Sequence, residues 1–260
     1  MFLELKKFFS YNYLNLFIQG KLPFLRKKEV KISEMKFTYP YWPHFYGIFY
    51  EIFVEKIYEI KNLSTVKTII DAGANIGLAA AFFSKEYPKA KIFCFEPNPE
   101  ALKFLEKNIK ANNINAQVYP YALGDENKQM PIFVDSFING SSSAGLYNLL
   151  GEKKRPTSTI QIEVKKLSNY INEVIDILKL DIEGGEWEVL DDLIKNNKLK
   201  YISNLLIEFH YHPIFLARPI SEFLKLLDQN GFFYYVSRRQ NELMPKKILH
   251  SYYIFAFKDE

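Results

Sequence analysis

Short apolar runs that each stop at an acid or a glycine-rich turn, with a stretch of helical periodicity behind, constrain this chain most. Thr68-Ile69-Ile70 stops at Asp71-Ala72-Gly73-Ala74-Asn75-Ile76-Gly77, and a helix pattern follows from Ile76 to about Glu86, ending near Pro88. Lys91 to Phe95 stops at Glu96-Pro97-Asn98-Pro99 and leads into a helix from Pro99 to about Asn112. A third strand over about Gln117 to Tyr121 ends at Ala122-Leu123-Gly124-Asp125. Ile175 to Leu180 ends at Asp181, with a helix over Trp187 to Lys195. Asn204 to Ile207 ends at Glu208-Phe209-His210, and a helix over Ile220 to Asn230 is stopped by Gly231. Phe232 to Val236 and Tyr252 to Phe257 alternate well enough to close the sheet as an antiparallel edge. This rhythm predicts an α/β fold with a doubly wound, mostly parallel, seven-stranded sheet.

Two regions depart from the rhythm. Pro131 to Val134 and Ile160 to Val164 read as two further strands around a Gly/Ser loop, residues 139–145. Residues 1–62 read as an aromatic-rich, mainly helical extension ahead of a domain over 63–260. Tyr39-Pro40-Tyr41-Trp42-Pro43 breaks that extension, and a helix-like run follows from Phe45 to Lys61. The stretch Phe2 to Ile18 has two readings: an amphipathic helix lying on a membrane or partner, or a segment packed on this protein or on a homodimer mate.

Composition narrows the function classes. With 260 residues and 48% hydrophobic content, the chain can build a large core. Its formal charge of +4 fits an anionic ligand but is too weak and too dispersed to imply nucleic acid. No run approaches the roughly 18 apolar residues of a spanning helix. A single cysteine, Cys94, sits in an apolar run and reads as a buried structural thiol. No secretory pattern is visible, so a reducing cytoplasm is the expected compartment.

In open parallel sheets, ligands sit beyond the carboxyl ends of the strands. Four such ends carry acids or glycine-rich turns: Asp71 with Gly73, Glu96, Asp181 with Glu183, and Glu208 with His210. Gly73 and Gly77 allow a sharp turn and close approach to a ligand, and Asn75 tolerates left-handed geometry. Glu96, 25 positions after Asp71, is placed to accept hydrogen bonds from both hydroxyls of a ribose. A dinucleotide shares that need, but Asp71 would face its phosphates. A cofactor with an amino-acid end offers Asp71 a cationic ammonium instead. The pattern therefore favours S-adenosylmethionine over NAD.

At this point the sequence resembles a known family. Asp71-Ala-Gly-Ala-Asn-Ile-Gly77, Phe95-Glu-Pro-Asn-Pro99, Ala122-Leu-Gly-Asp125, Gly140-Ser-Ser-Ser143, Leu178-Lys-Leu-Asp-Ile-Glu-Gly-Gly-Glu186 and Ile207-Glu-Phe-His210 look, in that order, like the FkbM-type methyltransferases. The resemblance covers about residues 66–236. It implies a Rossmann-like, class I methyltransferase fold, S-adenosylmethionine as donor, and O-methylation of sugars or natural-product hydroxyls. It also implies that Asp71, Gly73 and Asn75 line the methionine end, that Glu96 holds the ribose, and that Leu123 to Asp125 border the adenine. Gly185 stands where the family usually has Ala, a difference expected to alter packing rather than chemistry.

Methyl transfer to a hydroxyl needs in-line placement and a proton acceptor. Asp181, Glu208, His210 and Lys179 are the candidates, with Glu183, Glu186 and His212 nearby. Two readings stand. In one, His210 or Asp181 is the base and the other acids hold sugar hydroxyls. In the other, Asp181, Glu208 and His210 bind magnesium, calcium or manganese. The metal-free reading is preferred. Glu183 and Glu186 have a simpler reading as acids at a helix N-terminus. Lys179 is unusual in an apolar, doubly covered strand and is expected to pair with an acid in the cleft. Residues 141–143 are read as a loop over the acceptor or as plain surface, and the aromatic stretch Tyr39 to Tyr50 as the opposite wall or as dimer packing. The expected partner is a small-molecule or nucleotide-linked sugar, for a surface polysaccharide. The alternatives are an O-methyltransferase for another small metabolite, an NAD(P)-dependent oxidoreductase, a non-catalytic scaffold and a nucleic-acid methyltransferase, the last without a concentrated basic patch to support it.

Overall fold

The structure, a computed structural model, describes residues 28–63, 65–135, 157–211, 218–238 and 250–259. A hairpin of β1 (Glu29–Ile32) and β2 (Met35–Thr38) leads to α1 (Trp42–Phe49) and a π-helical turn, Tyr50–Val54. The α/β body follows: β3 (Thr68–Ala72), α2 (Leu78–Glu86), β4 (Lys91–Phe95), α3 (Pro99–Ala111) and β5 (Ala116–Tyr119). A three-stranded insertion comes next, with β6 (Ala122–Gly124), β7 (Lys128–Asp135) and β8 (Thr157–Lys166) in the order β6-β8-β7. The body resumes with β9 (Ile175–Leu180), α4 (Glu186–Lys195), β10 (Ile202–Tyr211), α5 (Ile220–Gln229), β11 (Phe233–Arg238) and β12 (His250–Phe257).

The main sheet has seven strands in the order β11-β12-β10-β9-β3-β4-β5. The five strands from β10 to β5 run parallel, and β12 runs antiparallel to both β10 and β11. This is the doubly wound sheet with an antiparallel edge that the sequence rhythm predicts. The strand order reverses between β3 and β9, where such a sheet opens a crevice at its carboxyl end.

Successive strand residues point to opposite faces. Ile69, Ile92 and Ile177 join a core with α2 and the N-terminal hairpin, while Ile70, Leu178 and Leu205 join a second core with α4 and α5. The same alternation puts Asp71, Cys94 and Lys179 on the first face, under residues 28–62. The aromatics of that extension fill this core: Tyr39, Trp42, Phe45 and Phe49 are buried, and Tyr39 stacks on Phe45 at 4.8 Å. Among the described residues, these four aromatics pack within this chain.

Buried Asn108 of α3 ties the extension to the body. Its Oδ1 accepts from the Thr38 amide at 2.7 Å, and its Nδ2 donates to the carbonyls of Thr38 and Ile76. The long helix expected over Phe45 to Lys61 stops at Val54, its last turn being π-helical. Among the described residues no helix is long and apolar enough to cross a membrane.

Candidate active site

The turn after β3 is built around two close backbone approaches. The amides of Gly73 and Ala74 both donate to the Phe95 carbonyl at 3.0 Å, pulling the turn against β4. On its other side Gly73 lies against β9: with φ at +75°, a β-carbon there would sit 1.8 Å from the Asp181 carbonyl oxygen. Asn75 takes a left-handed φ of +49°, and Gly77, also left-handed, caps α2. Glu96 anchors the turn from β4. Its Oε2 accepts from the Asn75 amide and its Oε1 from the Asn98 amide, both at 2.8 Å. Burial outweighs these bonds and pushes the carboxyl up to about 7.

A cavity of about 340 Å³ opens over this turn. Gly73, Ala74, Asn75 and Glu96 bound one side, and Lys179, Asp181, Glu183 and Glu208 bound the strand ends. Pro43, His44, Gly47 and Ile48 of α1 form the opposite wall, and Ile132 and Ile162 of the insertion close another.

Beneath the cavity floor lies a buried ion pair. Parallel pairing sets Asp71 of β3 beside Lys179 of β9 in register, so both side chains emerge on the same face. Lys179 Nζ lies 3.1 Å from Asp71 Oδ1 and 3.5 Å from Asp181 Oδ2. Its protons go to the carbonyls of Gly73 at 2.7 Å and Ala72 at 3.2 Å. Asp71 is thus held by charge rather than by a well-directed hydrogen bond. Burial lowers the Lys179 pKa, but Asp71 and Asp181 more than offset it and hold the ammonium above its usual range. Burial raises the Asp71 carboxyl, and Lys179 opposes that rise. The Tyr58 hydroxyl lies 3.3 Å from Asp181 Oδ2 and donates to it.

Acids converge on His210, which is buried on β10. Nδ1 is 3.0 Å from Glu186 Oε1. That same oxygen accepts from the amides of Ile182 and Gly184, bracing the turn between β9 and α4. Around Nε2 stand Glu183 at 3.5 Å, Glu208 at 3.8 Å and Asp181 at 4.0 Å. Burial works against the imidazolium, but Glu183 and Glu186 lead a set of acids that holds its pKa well above the ordinary range. Burial, reinforced by Asp181, pushes the Glu208 carboxyl up to about 8.

The structure brings most of the sequence candidates to one place. Gly73, Asn75, Glu96, Lys179, Asp181 and Glu208 line the cavity, and His210 stands directly behind the acids. Asp71 is fully buried under the floor and meets Lys179, in place of the expected contact with a cofactor's ammonium. Gly77 packs on Leu105 away from the cavity. Asp125 is half-exposed near Lys128, while Ala122 and Leu123 before it reach the cavity. Residues 141–143 and His212 lie outside the described residues. His44, which the sequence marks only as an ordinary surface or interface residue, lines the cavity within the Tyr39 to Tyr50 stretch, and Tyr58 lines it with no spacing or motif to mark it.

The Methyltransferase FkbM domain profile matches residues 71–234, and the chain belongs to this methyltransferase family. Methyltransferase sdnD of Sordaria araneosa is 30% identical over 71% of this chain and 81% of its own length. The 2-O-methyltransferase NoeI of Sinorhizobium fredii is 27% identical over 47% of this chain and 55% of its own. The hexuronic acid methyltransferase AglP of Haloferax volcanii is 26% identical over 73% of this chain and 83% of its own.

Proposed function

We propose that the chain is an S-adenosylmethionine-dependent O-methyltransferase acting on a sugar hydroxyl. The single observation that carries the cofactor half is Glu96. Backbone amides engage each of its oxygens once and fix the carboxylate at the cavity wall. Each oxygen keeps a further lone pair, so the group suits the two neighbouring hydroxyls of a ribose. Gly73 and Asn75 leave the backbone bare beside it, where an amino-acid end can lie. Bound there, S-adenosylmethionine would supply a sulfonium-activated methyl group for transfer to the acceptor oxygen.

The chain's own residues then have separate tasks. Asp71 fixes Lys179, whose ammonium clamps the Ala72 and Gly73 carbonyls and so shapes the turn. Lys179 and Tyr58 both engage Asp181 Oδ2, which fixes the side chain and suits Asp181 to orienting the acceptor hydroxyl. Glu208 lines the cavity beside it and is placed to receive the hydroxyl proton. His210, behind the acids, positions them rather than touching the acceptor.

The acid-lined end of the cavity supports a hydroxyl-rich acceptor. The names of two relatives, a 2-O-methyltransferase and a hexuronic acid methyltransferase, point the same way. The test is transfer of labelled methyl from S-adenosylmethionine to a panel of uronic acids and nucleotide-linked sugars. Label on a sugar oxygen supports the reading; transfer only to non-sugar hydroxyls overturns the sugar assignment, and no transfer to any acceptor despite cofactor binding counts against O-methylation.

A further inference from the structure

We propose that Asp181, Glu183 and His210 form a binding site for one divalent cation of the magnesium or manganese type, at the acceptor end of the cavity. One ligand atom from each lies within 4.8 Å of the others. Ligand atoms about 2.2 Å from a cation stand about 3 Å apart when adjacent and about 4.4 Å apart when opposite, and the distances from His210 Nε2 to Glu183 at 3.5 Å and to Asp181 at 4.0 Å fall between these limits.

Three features single this cluster out from an ordinary group of acids. The first is His210, more than nine-tenths buried. Its Nδ1 is taken by Glu186, so a cation that displaces the Nε2 proton meets a lone pair directed into the cluster. The surrounding carboxylate oxygens lie 3.5 Å to 4.0 Å from Nε2, beyond the 2.7–3.2 Å of a well-formed hydrogen bond. A buried ring nitrogen with three carboxylates drawn round it, none in bonding contact, leaves room for a cation between them. The second is the Glu186–His210 pair itself, the arrangement in which a carboxylate fixes the tautomer of a metal-bound histidine. The third is charge. Five carboxyl groups, from Asp71, Asp181, Glu183, Glu186 and Glu208, gather around the Lys179 ammonium and the His210 ring. Asp181 turns Oδ2 to Lys179 and Tyr58 while Oδ1 faces Nε2.

One nitrogen and several carboxylate oxygens, with positions left for solvent or a substrate oxygen, suit a six-coordinate hard cation better than tetrahedral zinc. The site deepens the proposed function and rests on it for its role. A cation there binds the acceptor hydroxyl and lowers its pKa, and the proton passes to Glu208.

The test uses Mn2+ alone on the full chain, with no donor or acceptor. Calorimetry should show one Mn2+ per chain, and pulsed paramagnetic resonance should show nitrogen modulation from the His210 ring. Glu183→Gln and His210→Asn should each weaken Mn2+ binding at least tenfold, with affinity for S-adenosylhomocysteine retained. Wild-type Mn2+ affinity in both variants, absence of nitrogen modulation, or no Mn2+ binding by the wild type would overturn the site. Failure of the methyl-donor reading shows itself separately, as loss of S-adenosylhomocysteine binding by a chain that still takes up Mn2+. The resonance measurement is made on the wild type, so it stands even where a variant fails to fold.

Discussion

Glu96 is asked to do two opposed things, and that conflict can be measured. Its pKa rises from 4.5 to about 7 because burial disfavours the charged form, even with two amide donors aimed at it. A carboxyl whose folded-state pKa is raised contributes stability fully present below the unfolded pKa. That stability is lost as pH rises through the folded pKa, because the native state holds a proton the unfolded chain has released. The shift corresponds to about 3 kcal/mol. In Glu96→Gln the titration is gone. The variant also leaves one amide without its acceptor, a cost that does not change with pH. The stability of the wild type minus that of the variant should therefore fall by about 3 kcal/mol between pH 4.5 and pH 8, measured by urea denaturation across that range. Binding should move the other way. If the carboxylate holds ribose hydroxyls, wild-type affinity for S-adenosylhomocysteine should drop by up to about tenfold per pH unit below pH 7, and the variant should bind weakly at every pH. A stability difference that stays flat with pH, together with equal affinities, would refute both the burial argument and the role of Glu96.

Other outcomes follow from the same geometry. Gly73→Ala meets the Asp181 carbonyl and requires a left-handed residue; it should cost at least about 2 kcal/mol in urea melts and abolish donor binding. Lys179→Met strands the buried Asp71 charge and should destabilise by about 3–5 kcal/mol, with much of the loss recovered in Asp71→Asn/Lys179→Met. A double-mutant cycle that is simply additive would disprove the pairing. Glu208→Gln should lower the rate of transfer by about 10² to 10⁴ with S-adenosylhomocysteine affinity unchanged; full activity would remove it as the proton acceptor.

The sequence makes the body of the fold legible because strand and helix periods alternate there without interruption. The helix after Glu96 is marked by Asn98 and Pro99, and in the structure Asn98 caps it by accepting the Glu100 amide at 3.0 Å. The hairpin at residues 29–38 leaves no comparable trace. Its strands are four residues each, and its stability comes from Val30, Ile32 and Phe37 entering a distant core and from Asn108 of α3 and Asn112, which caps that helix. The site is legible as a set of strand ends but not as a network. Asp71 and a cofactor ammonium are a sensible electrostatic match, yet parallel register had already given Asp71 an ammonium in Lys179, and register is set by the whole sheet rather than by either segment. Lys179 announces itself as a charge in an apolar strand, while its particular partner does not. Tyr58 reaches Asp181 across 123 positions of sequence, a tertiary contact with no residue signature around Tyr58.

The central claim, that the cavity above Asp71 to Gly77 takes a methyl donor rather than a dinucleotide, is tested most directly by calorimetry. Titration with S-adenosylhomocysteine should give one saturable site per chain, lost in Glu96→Ala, and titration with NADH should give no heat of binding. Saturable binding of NADH with none of S-adenosylhomocysteine would contradict the account.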